Sequence, residues 1–537
     1  MSECFLCICY LLAFIEWSGY CTGLDCRQYK DFLMPLLYQN PIIHSDYADP
    51  DVIRTGDDFW MVASSFHQLP GLPLLHSRDL IHWQIVNHIV KRLPSPEYDT
   101  PQPGKGIWAP SIRYHDGQFW VFYSLPDDGI FVTHASDPLG EWSEPYCLVA
   151  EPGWIDPCPF WDDDGRAWLV HAFAFSRSGV KNKLQLLEMA PDASRLLDDG
   201  CMIFDGTPSH PTLEGPKLYK RAGEYWLFAP AGGVKRGWQT VMRAPTLRGP
   251  WQSRDVLHQG SSAVNGPHQG AWVELENGES WFFHFQDKGV YGRIIHLQPL
   301  RWMKDGWPQI GESLDDSGKG QPVLRYKRPA LPFSPCQIQT SDNFVNGQPG
   351  PQWQWQANPH PFWLAEGRVG LLLRCVPTPE STSLYSLPQS LLQLFPAERF
   401  SVRTTLELTA GQYGDEAGVM VYGQRFASLS VVREAHGLQL SLSHGWGDDR
   451  GEWHHDAVSV AMLASEMSVE LGFDVGYDGI VHFGYRDVRD EWQLITPVFS
   501  AGAGKWIGAR MGIYARGLQG GLNGCARFTS FAVTIKQ

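Results

Sequence analysis

The feature that most constrains the fold is a short hairpin that recurs five times in the first part of the chain. Each copy is a tight turn followed by a Trp that opens an apolar strand, as in DDFWMVASS, DGQFWVFYS, DGRAWLVHAF, AGEYWLFAPA and NGESWFFHFQ. Such turns suit hairpins in which a residue adopts positive φ. The Trp residues fall at positions 60, 120, 168, 226 and 281, a spacing of 48 to 60 residues that matches one four-stranded propeller blade. The repeat predicts an all-β, five-bladed β-propeller.

A chemically active residue precedes each hairpin Trp by 11 to 13 positions, on the strand that lies nearest the axis of a propeller. These residues are Asp49, Trp108, Asp156, Glu214 and His268. If they occupy one structural position repeated around the five blades, their side chains converge on a single axial pocket. One Asp at such a place would more often form a turn than do chemistry. Three acids in the same phase of three blades favour a functional site.

Three convergent acids suit the hydrolysis of a glycosidic bond, which needs two carboxyl groups with different protonation states. One carboxyl must be protonated to donate to the leaving oxygen, while the other must be ionised to activate water or attack carbon. Neighbouring negative charge raises the pKa of one member, so a third acid can tune the pair. Glu214 has the longer side chain and suits the proton donor.

The charge balance indicates which partners to expect. The chain contains 43 Lys and Arg against 58 Asp and Glu, a net charge of −15, and it has no long basic run. An acidic surface without a basic stripe disfavours nucleic acid and anionic membranes. We therefore expect a neutral carbohydrate substrate, no nucleic-acid or membrane partner and no organic cofactor. The oligomeric state stays open. Aromatic residues make up 13% of the chain, and a minority of the 23 Trp residues could stack on sugar rings.

The sequence also resembles a known family, glycoside hydrolase family 43, which contains five-bladed propeller β-xylosidases and α-L-arabinofuranosidases. The resemblance runs in order through NPIIHSDYADPDVIR, PGLPLLHSRDLIHW, GIWAPSIRYHDGQFWVFYS, GWIDPCPFWDDDG, LEGPKLYK, GPHQGAWVE and GRIIHLQPLRWMKDGWP. By motif it implies an inverting mechanism with Asp49 as general base, Asp156 as modulator of the acid's pKa and Glu214 as general acid. Inversion implies acid and base carboxyls roughly 6.5–9.5 Å apart, with water between them.

The resemblance implies roles for four further residues. Trp108 and Phe66 would be walls of the sugar pocket, although Trp108 could equally be a packing residue. Arg293 would contact substrate hydroxyls. His268 would be the only protein ligand of a hydrated Ca²⁺ on the axis, with a hydrogen bond to the acids as its alternative role.

The chain divides into four predicted segments. Residues 1–33 form an atypical N-terminal segment, either a poor export signal or upstream sequence from a wrong start. The propeller is expected over 34–315, a Gly- and Pro-rich linker over 316–337, and a concanavalin-like, jelly-roll β-sandwich over 338–537. A start at Met34 would give a cytoplasmic protein, and a working signal an exported one. The run SHGWGDDRGEWHHD at 443–456 is expected to be a polar loop rather than a metal site.

These observations predict an inverting exo-glycosidase that releases xylose and/or arabinose from xylan-derived oligosaccharides. Two alternatives stay open: a catalytically inactive carbohydrate-binding propeller, and an arabinanase-type member of the family. The motif set disfavours a retaining fructosidase of a related five-bladed family. The sequence does not separate β-xylosidase from α-L-arabinofuranosidase activity, because both sugars are pentoses with similar hydroxyl placement.

Overall fold

The computed structural model describes residues 36–379, 381–409, 411–447, 453–463, 468–486, 491–517 and 524–536. After β1 (Leu37–Gln39), consecutive strands form antiparallel sheets arranged as the blades of a propeller. Blades 1 to 3 comprise β2 (Asp51–Thr55), β3 (Asp58–Val62), β4 (Gly71–Ser77), β5 (Gln84–Val90), β6 (Trp108–His115), β7 (Gln118–Leu125), β8 (Gly129–Ala135), β9 (Tyr146–Val149), β10 (Trp154–Trp161), β11 (Ala167–Phe173), β12 (Lys183–Met189) and β13 (Cys201–Asp205). Together with the two blades described next, these sheets confirm the predicted five-bladed propeller.

Blades 4 and 5 contain β14 (Lys217–Arg221), β15 (Glu224–Ala231), β16 (Trp238–Ala244), β17 (Gln252–Leu257), β18 (Trp272–Glu274), β19 (Ser280–Asp287), β20 (Arg293–Trp302) and β21 (Pro308–Ile310). Blade 4 is extended by β23 (Gly320–Gln321), which pairs with β22 (Glu312–Ser313) and runs parallel to β17. β24 (Arg325–Lys327) pairs with β1. Part of the predicted linker 316–337 is therefore tied to the propeller by strand pairing.

The recurring hairpin joins the two inner strands of every blade. Its turn holds a glycine at positive φ each time, and a Cβ on any of the five would meet nothing within 4 Å. These glycines are Gly56, Gly117, Gly165, Gly223 and Gly278. Glycine is therefore required at these turns by backbone conformation and not by crowding.

Hydrophobic cores fill the spaces between neighbouring blades. Phe122 of blade 2 packs with Leu169 of blade 3, and Phe228 of blade 4 packs with Phe282 of blade 5, all four fully buried. Similar clusters join the other neighbouring pairs, including blade 5 and blade 1. Burying one such side chain contributes about 1.5–3 kcal/mol. The packing fixes the blades relative to each other and thereby fixes the residues on their inner strands.

The C-terminal part is a β-sandwich. One sheet has the order β25-β28-β38-β30-β31-β32-β33, with β27 beside β38, and the other has the order β26-β39-β29-β34-β35-β36, with β37 beside β35. The strands are β25 (Gln354–Trp355), β26 (Leu371–Arg374), β27 (Val376–Pro377), β28 (Leu391–Leu394), β29 (Phe400–Thr409), β30 (Glu416–Tyr422), β31 (Arg425–Glu434), β32 (Gly437–Gly447), β33 (Trp453–Met462), β34 (Val469–Val475), β35 (Ile480–Arg486), β36 (Gln493–Leu494), β37 (Phe499–Ser500), β38 (Arg510–Gly517) and β39 (Cys525–Ile535). In β29, buried and more exposed residues alternate, which places one face in the shared core.

Helical structure is sparse in the described residues. A single α-helical turn occupies Phe175–Ser178, and short 3₁₀ turns occupy Pro96–Asp99, Gly289–Tyr291, Val345–Gly347, Pro361–Trp363, Leu384–Ser386 and Tyr477–Gly479. In the part of the chain that the structure describes, no helix is long and apolar enough to cross a membrane.

The run at 443–456 differs from its prediction as a polar loop. Its described residues lie in β32 and β33, where His444 pairs with Asp456 and Trp446 with His454. Residues 448–452 lie outside the described part. The high content of His, Asp and Gly suggested a loop, whereas the observed strands carry those residues at an exposed edge of the sheet.

Candidate active site

Each blade carries the same irregularity where its inner strand approaches the axis. In blade 2, Trp108 lies opposite Ser124 and Ser111 opposite Phe122, so three steps on the inner strand match two on its neighbour. The same one-residue offset occurs in the other four blades. A residue within each offset has positive φ: Asp49 (55°), Ala109 (33°), Asp156 (56°), Gly215 (57°) and Gln269 (41°). Such β-bulges re-aim side chains and are common beside active sites.

The bulges correct one detail of the sequence prediction. Asp49 and Asp156 occupy the positive-φ position itself, whereas Trp108, Glu214 and His268 each lie one residue before it. The five residues therefore occupy two adjacent positions of the repeat and not one. The count from the hairpin Trp missed this because the hairpins differ in length: Trp60 pairs with Ile53, seven residues earlier, but Trp168 pairs with Phe160, eight residues earlier.

Asp49 is a buried carboxylate held by two partners. The Ser64 hydroxyl donates to Oδ2 at 2.6 Å, and Arg293 Nη1 lies 3.1 and 3.2 Å from Oδ1 and Oδ2. Ser64 Oγ also accepts the backbone N–H of Ala109 at 2.7 Å, which ties the bulges of blades 1 and 2 together. A hydroxyl donor and a guanidinium on the same carboxylate fix its orientation in the site.

Asp156 is the most buried member of the acid group, with 4% of its surface exposed against 6% for Asp49. Burial, and next the negative charges of Glu214 and Asp49, raise the pKa of Asp156 well above its usual range. The Gly215 N–H donates to Oδ2 at 2.7 Å and opposes that rise. The structure thus brings both Glu214 and Asp49 within electrostatic reach of Asp156.

Glu214 is more accessible, with a quarter of its side chain exposed, and it pairs with His268. His268 Nε2 lies 2.9 Å from Glu214 Oε1, and the imidazole is fully buried. A hydrogen bond from a buried ring to one oxygen limits the rotation of the carboxyl group. Glu214 is the most exposed of the three acids.

The remaining predicted residues surround the acids. Arg293 lies at the start of β20, with its guanidinium carbon 5.0 Å from the centre of the Phe285 ring and 6.0 Å from that of Phe66. Phe66 and Trp108 form an edge-to-face pair 6.4 Å apart. The half-buried Trp108 also lies 6.5 Å from Trp506, an exposed residue of the sandwich. One wall of the pocket therefore includes the second domain.

Sequence reasoning did not assign three residues that the structure places at the site: Ser64, Asp46 and Trp506. Ser64 lies in the strand FWMVASS, and pairing that strand against the segment before Asp51 would have brought it near Asp49. Asp46 was visible as a flanking acid without a role. Trp506 gave no local signal, because its position depends on how the sandwich docks.

The Ca²⁺ predicted at His268 can be compared with the donor atoms present. Calcium takes 6–8 oxygen ligands in most proteins. Nε2 of His268 pairs with Glu214, and the buried Nδ1 has no hydrogen-bond partner among the described residues. Within the described ranges, no group of three or more His, Cys, Asp or Glu side chains could hold a metal. The described residues therefore offer no cage of several protein ligands, and a hydrated ion with His268 as its only protein ligand stays a prediction.

Comparison with known proteins identifies the family. The model of glycosyl hydrolases family 43 matches residues 38–308, and that of the beta xylosidase C-terminal concanavalin A-like domain matches residues 341–534. A protein of Xylanibacter ruminicola, provisionally named as a beta-xylosidase, is 39% identical over 90% of this chain and 87% of its own length. A non-reducing end alpha-L-arabinofuranosidase of Bacteroides ovatus is 29% identical over 62% of this chain and 64% of its own.

A solved structure agrees with both domains. The crystal structure of xylan beta-1,4-xylosidase from Bacillus halodurans C-125 matches with a TM-score of 0.82 and 27% identity, covering 92% of this chain and 99% of that one. Both family models, the shared fold and the relative at 39% identity lead to the same assignment. The chain is a glycoside hydrolase that belongs to glycosyl hydrolase family 43, with the family's concanavalin-like domain at its C-terminal end.

Proposed function

We propose that the protein is an inverting, exo-acting glycosidase that releases xylose and/or arabinose from xylan-derived oligosaccharides. The observation that carries the proposal is the convergence of three carboxyl groups from the bulges of three blades, with Asp49 and Glu214 both close enough to Asp156 for their charges to raise its pKa. Acids that crowd one site can differ in protonation, because neighbouring negative charge disfavours the ionised form of one of them. Hydrolysis of a glycosidic bond needs that division.

In this proposal Asp49 is the general base. Its carboxylate accepts from Ser64 and pairs with Arg293, so both contacts favour the ionised form. The same two contacts fix the orientation of the carboxylate, which has to take a proton from water on the face of the sugar opposite the leaving group.

Glu214 is the general acid. Its side chain is partly exposed toward the pocket, while His268 holds Oε1 and leaves the other oxygen to meet the leaving oxygen. In this proposal Asp156 is the modulator of the acid: it lies within electrostatic reach of Glu214, and its own pKa is raised by burial and by the charges of Glu214 and Asp49. Because it is buried and accepts the Gly215 N–H, Asp156 itself is poorly placed to touch a substrate.

The proposed exo action is supported by the second domain. Phe66 belongs to a hydrophobic cluster shared with Tyr422, Phe426 and Tyr514 of the sandwich, and Trp506 approaches Trp108 from the same side. A pocket walled on that side suits a chain end, whereas an arabinanase that cuts within a chain would need an open groove. The names of the relatives include both xylosidase and arabinofuranosidase, so both sugars stay in the proposal.

The test is to measure release of nitrophenol from the β-D-xyloside and the α-L-arabinofuranoside side by side, followed by NMR of the first-formed anomer. Turnover that is lost in Glu214→Ala and in Asp49→Ala, with product of inverted configuration, is the expected result. Retained configuration would overturn the inverting mechanism. Wild-type turnover in either variant would overturn the role of that residue.

A further inference from the structure

Asp46 is a buried carboxylate that the proposed chemistry does not use. Only 4% of its surface is exposed, although a buried charge is costly unless it is paired. Its oxygens meet three groups from two distant segments. Oδ1 accepts the backbone N–H of Arg293 at 2.7 Å, while Oδ2 accepts the N–H of Gly508 at 2.8 Å and lies 2.8 Å from Arg510 Nη1. Gly508 and Arg510 belong to the sandwich, and Arg293 belongs to blade 5.

The two domains approach closely around this carboxylate. A Cβ on Gly292 would lie 2.3 Å from Asp46 Cγ, and a Cβ on Gly508 would lie 2.6 Å from the backbone nitrogen of Gly292. The N–H of Ala509 donates to the Val290 carbonyl at 2.7 Å. A segment of the sandwich therefore runs directly alongside the backbone that leads into Arg293.

Arg510 adds a second tie to the propeller. Its Nε donates to Oε1 of Gln68 at 3.1 Å, and its side chain is 4% exposed. The pair Asp46 and Arg510 thus has almost no access to solvent. Removing one partner of such a buried ion pair is strongly destabilising, because the other charge is left buried and unpaired.

We propose that Asp46 is a positioning residue that couples docking of the sandwich to the alignment of Arg293 on Asp49. One oxygen fixes the backbone of Arg293, and the other binds the sandwich. The guanidinium that pairs with Asp49 is therefore placed correctly only when the second domain is seated. The inference rests on the proposed role of Asp49 as base, and it makes the sandwich a functional part of the active site as well as a wall.

Asp46→Asn is the informative substitution because it preserves shape. In either orientation of the amide, its NH₂ group faces donors. These are the N–H of Arg293 on one side, or the N–H of Gly508 and the guanidinium of Arg510 on the other. We expect kcat to fall about 10- to 100-fold, the range that a misplacement of about 1 Å can cost. The charged groups that face Asp49 are Arg293, in contact, and Asp156, within electrostatic reach. With Arg293 misaligned, the acid limb of the kcat/KM profile is expected to move to higher pH.

The matched control is Asp79→Asn in blade 1. Asp79 is 1% exposed, accepts the N–H groups of Ile81 and His82 at 3.0 and 2.8 Å, and pairs with Arg328 at 2.9 Å. Like Asp46 it is a buried carboxylate that meets backbone N–H groups and an Arg, and it also pairs with His82 Nδ1 at 2.7 Å, but none of these contacts is with Arg293 or with the acids. We expect a comparable loss of thermal stability in Asp79→Asn with a wild-type pH profile, because loss of folded protein scales activity without changing the profile.

A second variant keeps the test decisive if Asp46→Asn does not fold. Arg510→Gln removes the same ion pair from the sandwich side and should move the acid limb in the same direction, with Arg510→Lys partly restoring it. An unshifted acid limb in the folded Asp46 and Arg510 variants would overturn the coupling while leaving the proposed function intact. Wild-type activity in Asp49→Ala would overturn the proposed function itself, and the coupling with it.

Discussion

The bond between Ser64 and Asp49 gives the sharpest prediction about the site. Replacing Ser64 by Ala deletes a 2.6 Å hydrogen bond to the carboxylate and leaves the buried N–H of Ala109 without its acceptor. A hydrogen bond to a charged group contributes about 1.5–3 kcal/mol. If that energy orients Asp49 in the transition state, kcat/KM should fall about 10- to 150-fold, at about 1.4 kcal/mol for each factor of ten.

The assay compares kcat/KM on a nitrophenyl β-D-xyloside from about pH 4 to 9, a range that spans the usual titration of carboxyl groups and His. The acid limb should move to higher pH in Ser64→Ala, because the ionised form of Asp49 loses a donor. Ser280→Ala is the control, since Ser280 also donates to a carboxylate, Glu274 Oε2 at 3.2 Å, but lies at the far end of the blade 5 hairpin. Activity of Ser64→Ala within twofold of wild type, or a loss equal to that of Ser280→Ala, would refute the reasoning.

Three further predictions concern the acids and the metal. In Glu214→Ala, the defect should shrink on a dinitrophenyl glycoside, whose leaving group needs no protonation; an equal defect on all leaving groups would contradict the acid role. Burial and neighbouring charge raise the pKa of Asp156 in the folded state. The favourable contribution of protonated Asp156 to the free energy of unfolding is therefore complete below its unfolded pKa of about 3.9, and it is lost as pH rises through the raised pKa of the folded state. Asp156→Asn is therefore expected to lose activity yet to raise Tm at neutral pH, with a gain that disappears toward pH 4; an unchanged Tm at pH 7 would contradict this. If His268 is the only protein ligand of a hydrated Ca²⁺, as the family resemblance implies, exhaustive chelation should lower activity and added Ca²⁺ should restore it; activity that is indifferent to chelation, with no metal found by elemental analysis, would remove the ion.

The propeller could be predicted because its signal is local and repeated. Turn glycines, a hairpin Trp and an apolar strand recur together, and each is set by chemistry within about ten residues, such as the positive φ of a tight turn. The convergence of Asp49, Asp156 and Glu214 could be predicted for the same reason, while their catalytic roles stay predictions. Glu214 lies one residue before the bulge position that Asp49 and Asp156 occupy, so the predicted shared position was wrong by one residue. The hairpins vary in length, and hydrophobic periodicity does not reveal bulges.

Contacts between distant segments could not be predicted in this way. Asp46 meets Gly508 across 462 positions of sequence, and no periodicity or motif links the two. Trp506 reaches Trp108 only because the sandwich docks on the propeller in one orientation. The strands of the 443–456 run were missed because exposed edge strands tolerate polar residues that otherwise indicate loops.

The bulge that each blade carries separates the shape of this site from its chemistry. Blades 2 and 5 make the same backbone turn with Ala109 and Gln269, which are not acids, so the turn does not depend on a carboxylate. The bulge position therefore accepts Asp, Ala, Gly or Gln in different blades. Packing between the blades offsets the strain of the positive-φ backbone in each case. A single substitution at a bulge could therefore change the chemistry of the site without changing the propeller backbone. Divergence of substrate and even of reaction on this framework would then begin at a few side chains and leave the architecture unchanged.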